Sequence, residues 1–211
     1  MKPTVNEIRA LKKRDPILGN AMGRLEPFPG FPSPSQKRSS TFAYLVRAIV
    51  FQQLAYKAAD TIWRRVLDLC QESGKMEPTA LANISDQALR GAGLSRAKLA
   101  AVRDLSQRVL DGRLKLRGLS RLKDCDVLER LVKVKGIGPW TAQMFLIFKL
   151  GRLDVMPTTD LGVQEGLRRL DSLNERPSPK EVQARAEKWS PLCSVAAWYL
   201  WREVDASDEV E

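Results

Sequence analysis

The stretch LVKVKGIGPWTAQMFLIFKLGRLDVMPTTDLGVQ, residues 131–164, decides how the chain folds. Leu128, Leu131, Val132 and Val134 follow Asp126 at helical spacing, with Asp126 placed to cap that helix. Gly136 and Gly138 interrupt it, and Pro139 stands at the start of a second helix, where proline is tolerated best. Met144, Phe145, Ile147, Phe148 and Leu150 continue the second helix until Gly151 ends it. Two glycines between apolar helices let the backbone turn tightly and come close to a ligand. Amides at a helix N-terminus favour an anion, and Lys133 and Lys135 add positive charge beside them. Gly136, Gly138, Thr141 and the two lysines are therefore candidates for holding a phosphate. An ordinary tight turn is the alternative.

Beyond Gly151, residues 152–159 contain Pro157 and read as extended loop. Asp160 then precedes the apolar helical stripe Leu161, Val163, Leu167 and Leu170. Aspartate is a favoured N-cap, worth about 0.5–2 kcal/mol over alanine, so capping alone explains it. Capping and chemistry are compatible, because a cap fixes the direction of its carboxylate.

Helical periods dominate the rest of the chain. Val5, Ile8 and Leu11 mark a first helix and residues 15–25 a second. PFPGFPSPSQKRSS, residues 27–40, is rich in Pro and Ser and reads as a linker. Phe42, Leu45, Val46, Ile49 and Val50 form one apolar stripe, and Ala58, Ile62, Val66 and Leu69 another. Gln52 and Gln53 sit between the two, with Gln52 a candidate for structural hydrogen bonding. Ser178, Pro179 and Glu181 make a capping box. The last helix runs through Ala196 to Glu203, and the acidic tail, 206–211, is expected to fray. No strand-forming alternation or internal repeat is visible, so the class is all-α, with residues 41–150 as a central lobe that contains the helix-hairpin-helix at 126–149.

Lys and Arg number 35 against 25 Asp and Glu, a formal charge of +10, which suits a nucleic-acid partner without proving one. The hydrophobic share, 44%, supports a real core. No leader peptide or membrane span is expected, because no run approaches about 20 apolar residues. Histidine is absent, and Cys70, Cys125 and Cys193 lie far apart. That spacing argues against a disulfide framework, a transition-metal site or a four-cysteine iron–sulfur cluster. It fits a reducing compartment, the cytoplasm of a prokaryote or a nucleus.

Four segments carry a family resemblance: LVRAIVFQQLAYKAADTIW (45–63), GLSRAKLAAVRDLS (93–106), LVKVKGIGPWTAQMFLIF (131–148) and DVMPTTDLGVQ (154–164). With them the chain resembles the helix-hairpin-helix DNA glycosylases, most of all the 3-methyladenine DNA glycosylase II type, from about Asp15 to Glu203. The resemblance implies a second lobe built from both chain ends, 1–40 with 151–205, and an active-site cleft between lobes. It implies that Asp160, and not the nearby Asp154, is the catalytic carboxylate. Trp140 and Trp201 match pocket tryptophans, while Met144 and Leu161 stand where the bacterial relative has aromatic residues. Gln53, or else Leu54, matches the side chain that fills the gap left by a flipped base. Arg96 and Lys98, near the turn at Gly91 and Gly93, are further phosphate candidates, with a solvated helix start as the alternative. Lyase relatives carry a lysine nucleophile where this chain has Trp140, which implies a monofunctional enzyme without a Schiff base.

The expectation is thus a monomeric, monofunctional enzyme that excises alkylated purines such as 3-methyladenine or 7-methylguanine from damaged double-stranded DNA. No cofactor is required, although the hairpin carbonyls of similar proteins can hold a sodium or potassium ion. The alternatives are a glycosylase for an etheno, deaminated or mismatched base, and a non-catalytic helix-hairpin-helix DNA-binding protein.

Overall fold

The computed structural model describes residues 2–70 and 75–208. In chain order its α-helices are α1 (Val5–Arg14), α2 (Pro16–Arg24), α3 (Pro34–Arg38), α4 (Thr41–Phe51), α5 (Tyr56–Leu69), α6 (Pro78–Asn83) and α7 (Asp86–Gly91). They continue with α8 (Arg96–Leu110), α9 (Asp124–Leu131), α10 (Pro139–Met144), α11 (Leu161–Leu170), α12 (Pro179–Ala186) and α13 (Cys193–Asp208). Among the described residues there is no strand. The chain divides into two compact units, Pro34–Phe145 and a second made of Met1–Ser33 with Leu146–Glu211.

In the central unit α4 buries Phe42, Leu45, Val46, Ile49 and Val50, the stripe its spacing predicts. It packs on α5 and α8, and α8 also receives α6 and α7. Ala101, Val102 and Leu105 of α8 are buried there. The Val, Leu, Ile and Phe side chains among these contribute roughly 1.5–3 kcal/mol each when fully buried. The face of α5 differs from expectation. Ala58 and Leu69 are exposed, and Ala59, Val66 and the following Cys70 go inside. Both stripes have helical spacing, so periodicity alone left the rotation of α5 open by one residue. Ser40, Ser85 and Ser95 start their helices by accepting the amides of Ala43, Ala88 and Lys98.

In the unit made from both ends, α11 packs chiefly on α13. Asp15 caps α2 through Leu18 N–H (3.1 Å) and also accepts from Trp189 Nε1 (2.7 Å) and Arg185. Burial works against its charge, but these donors outweigh that and hold its carboxyl below the ordinary range. Residues 27–40 are more ordered than a linker. Phe28 packs edge-on against Trp198 (5.7 Å), Phe31 against Phe148 (4.6 Å), and residues 34–38 form α3. Their aromatic rings, rather than the Pro and Ser around them, decide the path. The last helix starts at Cys193 and reaches Asp208, so residues 206–208 are helical and 209–211 lie outside the described residues.

Candidate functional site

The hairpin belongs to the central unit. Helix α9 begins at Asp124 after Lys123, so Asp126 lies in its first turn, favourable to the helix dipole, and is not the cap. After α9 the turn closes through Val134 N–H to Leu131 O and Ile137 N–H to Val134 O, with Val134 and Ile137 buried as its feet. Gly136 has a left-handed backbone (φ +77°), and a Cβ there would stand 2.8 Å from the Cβ of Ala101. Gly138 is different. Its φ of −88° is open to any residue, and a Cβ there would meet no atom within 4 Å. The fold requires glycine at 136; at 138 only something arriving from outside would.

Asp104 of α8 fixes this turn, a role the sequence did not reveal. Its Oδ2 accepts Lys135 N–H (2.7 Å) and Arg108 Nε (2.7 Å). Burial raises its pKa, but those donors outweigh that and hold it below the usual value. The turn, Asp104 and Arg108 line a concave surface of about 580 Å³. The side chain of Lys135 is exposed, and Lys133 pairs with Glu129 at 2.8 Å. An exposed pair of this kind is worth about 0.2–1 kcal/mol and yields readily to a phosphate. Thr141 is buried, with its hydroxyl 3.1 Å from Gln52 Nε2, so its backbone rather than its side chain is what it can offer an anion. Trp140 is 41% exposed on the first turn of α10. Met144 is half-buried, and its carbonyl accepts from the Tyr44 hydroxyl (3.4 Å).

Of the second-tier cations, Arg96 is exposed, but Lys98 is not poised for a phosphate. Its ammonium donates to Val50 O at 2.8 Å, and burial lowers its pKa. Val50 lies at the end of α4, just before the exposed Gln53 and Leu54.

The carboxylate site belongs to the other unit. Asp160 is the N-cap of α11, and its Oδ1 accepts Val163 N–H (2.8 Å) and Trp201 Nε1 (2.9 Å). The Trp201 ring lies stacked on Phe148, with centroids 5.5 Å apart and planes at 24°. Trp201 thus aims the carboxylate, beyond the pocket role its position suggested. Phe148 comes from a π-helical stretch, Phe145–Lys149, where regular helix was expected; such stretches often occur at functional sites. A Cβ at Gly162 would lie 2.9 Å from Trp201 Cδ1 and 3.1 Å from Asp160 Oδ1. Leu161, beside the carboxylate, is 65% exposed.

The loop before Asp160 is pinned at several points. Asp154 accepts from Ser190 Oγ (2.8 Å) and Cys193 N–H (3.3 Å), which occupies it structurally. Ser194 Oγ bonds the backbone of Val155, and Gln164 Nε2 donates to Thr158 O (2.9 Å). A carboxylate held this way can stabilise positive charge on a sugar and orient a water. Gly162, Gln164 and Ser194 escaped sequence reading, and Phe148 was visible only as an apolar helix position. Glycine inside the apolar stripe 161–170, at 162 and again at 166, was the signal available for Gly162.

Among the described residues, no group of three or more His, Cys, Asp and Glu could hold a metal, and no helix is long and apolar enough to cross a membrane. Among the described residues Cys70, Cys125 and Cys193 form no disulfide.

Residues 46–191 match the HhH-GPD superfamily of base excision DNA repair proteins. The chain is 32% identical over 178 residues to DNA-3-methyladenine glycosylase 1 of Schizosaccharomyces pombe, covering 84% of this chain and 78% of that protein. The structure is similar to that of the 3-methyladenine DNA glycosylase of the same organism in complex with abasic DNA, with TM-score 0.84 and 29% identity over 94% of this chain and 96% of that one. It is also similar to the DNA-3-methyladenine glycosidase of Bacillus halodurans, with TM-score 0.83 and 34% identity over 96% and 91% of the two chains.

Proposed function

The chain belongs to the HhH-GPD superfamily of base excision DNA repair proteins, and from that premise we propose that it is a monofunctional DNA glycosylase for alkylated purines in duplex DNA. The observation that carries this reading is the Asp160 carboxylate, aimed by Trp201 Nε1 and Val163 N–H. An alkylated purine such as 3-methyladenine is already cationic, so its bond to C1′ breaks with little acid catalysis. The electron pair leaves with the base, and positive charge develops on the sugar. Asp160 stabilises that charge, and a water then adds its oxygen to C1′ and loses a proton, leaving an abasic site.

The target base must first leave the stack, which opposes excision by a few kcal/mol. Gln53 or Leu54, exposed on the turn after α4, fills the gap in this reading. The hairpin amides and Lys135 hold the DNA backbone, a contact that weakens steeply with salt. The exposed ring of Trp140 suits contact with a cationic base, an attraction of roughly 0.5–2 kcal/mol. Trp140 also offers no amine for a Schiff base, which supports hydrolysis without strand cleavage. The hairpin is the proposed place for a sodium or potassium ion, held by its backbone carbonyls. No iron–sulfur cluster enters the reading. The enzyme acts as a monomer on chromosomal DNA, in a prokaryotic cytoplasm or a nucleus.

The test is base release from methylated duplex DNA, with strands inspected before alkali treatment. Free 3-methyladenine or 7-methylguanine with intact strands is expected. Strand cleavage without alkali would overturn the monofunctional reading, and DNA binding without release would favour another lesion or a binding-only role.

A further inference from the structure

The backbone turn after α4 is strained, and its supports lead to the hairpin. Gln53 adopts φ +54°, a left-handed conformation that a non-glycine residue keeps only where its surroundings enforce it. Two side chains do so. Lys98 Nζ donates to Val50 O at 2.8 Å, three residues before Gln53. Gln52 Nε2 donates to Gly136 O at 2.9 Å and lies 3.1 Å from Thr141 Oγ1. A carbonyl oxygen can only accept, so the amide nitrogen, and not its oxygen, must face Gly136. One side chain therefore joins the turn that exposes Gln53 and Leu54 to the backbone of the hairpin 84 residues later. All of these residues lie in the Pro34–Phe145 unit.

We propose that Gln52 is a positioning residue that fixes the spacing between the hairpin's hold on a phosphate and the side chains that enter the base stack. This rests on the glycosylase reading. A wedge opens a stack only if it cannot retreat as it is pushed in. The force must be referred to something already fixed on the same DNA, and the hairpin is that reference. Without the Gln52 bonds the turn is free to relax toward ordinary backbone angles. The phosphate hold survives, but attraction at the hairpin no longer drives the wedge home.

The experiment compares the full-length wild type with Gln52→Ala and Gln52→Glu. The second variant keeps the size of the side chain but cannot donate to Gly136 when ionised, which guards against a packing defect in the first. Affinity for undamaged duplex is expected to stay close to wild type. Single-turnover release of an alkylated base from fully paired duplex is expected to fall about tenfold, the scale of one or two lost hydrogen bonds. Release of the same base from single-stranded DNA, where no paired stack must be opened, is expected to stay near the wild-type rate. An equal fall on both substrates would make Gln52 an ordinary structural residue, and no fall on either would also overturn the proposal. If wild type releases no alkylated base, the glycosylase reading itself fails. A fluorescent base analogue in the duplex then reads stack opening without chemistry. A weaker response of both variants at equal DNA saturation would support the brace, and an unchanged response would overturn it.

Discussion

The hairpin and the carboxylate reach their geometry by different devices. Gly136 turns the hairpin, Val134 and Ile137 anchor it, and Asp104 and Gln52, 31 and 84 residues away, hold its backbone at Lys135 and Gly136. Asp160 keeps a local bond to Val163, but its orientation depends on Trp201, 41 residues away, and on Phe148 stacked behind that indole. The first is a backbone device in which glycine and amides carry the geometry. The second is a side-chain device in which two rings and one glycine carry it. Changes to the first should alter how DNA is held, and changes to the second how fast a bond breaks.

The largest expected effect tests that separation. Asp160→Asn keeps an oxygen for Val163 N–H but loses the charge, and base release should fall by about 100- to 1,000-fold while duplex affinity stays near wild type. Single-turnover release and a binding isotherm read both, and a large loss of affinity would break the division between the two regions. Next comes the side-chain device itself. Gly162→Ala pushes a methyl against Trp201 Cδ1, and Trp201→Phe removes the N–H donor. Each should slow release by about tenfold, the scale of one lost charge-assisted hydrogen bond. The double variant should be little slower than either single one, because both break the same contact. Additive losses would show that Gly162 acts elsewhere.

The hairpin glycines give smaller and opposite effects. Gly136→Ala should destabilise the central unit by about 1 kcal/mol or more, since alanine must take a positive φ against Ala101. Gly138→Ala should leave the melting temperature alone and weaken duplex binding about threefold to tenfold, because the added methyl meets only the ligand. If Gly138→Ala binds normally, the approach of a phosphate at that point is ruled out. The smallest effect is in pH. Burial works to raise the Asp104 carboxyl, but Lys135 N–H and Arg108 hold it below the ordinary aspartate value of 3.8. Its contribution is fully present above that value and is lost as pH falls below it. Exchange of the Lys135 amide should therefore be steady near neutrality and rise only in acid, relative to Asp104→Ala. Loosening that begins near neutral pH would point to another group.

The legible parts of the molecule follow the same line. The α4 stripe and the Ser178 capping box could be read because each is set within one or two turns of chain. The proline start of α10 was equally local. The rotation of α5 escaped because an apolar stripe shifted by one residue has nearly the same spacing. Phe28 and Phe31 escaped because their partners, Trp198 and Phe148, are remote and proline-rich sequence hides the packing. Lys98 looked like a phosphate contact because nothing in its neighbourhood announces the Val50 carbonyl. Asp160 was visible as a cap, but its aim was not, since no local pattern names Trp201 as its partner.

One unit interrupts the other along the chain, and that orders events during synthesis. Residues 34–145 have their partners in hand before Leu161 is made. Domains emerging from a ribosome fold as they become complete, at about 5–20 residues per second of elongation. Helices α1 and α2, though made first, must wait. Asp15 has neither Arg185 nor Trp189 until 170 and 174 further residues have been added. Leu11 and Leu18, fully buried in the finished protein, are meanwhile without α13, the last element of their unit. A nascent chain that has just released residues 34–145 therefore has its hairpin formed before Asp160 has Trp201 to aim it. Such a nascent chain could engage DNA before it could cut anything from it.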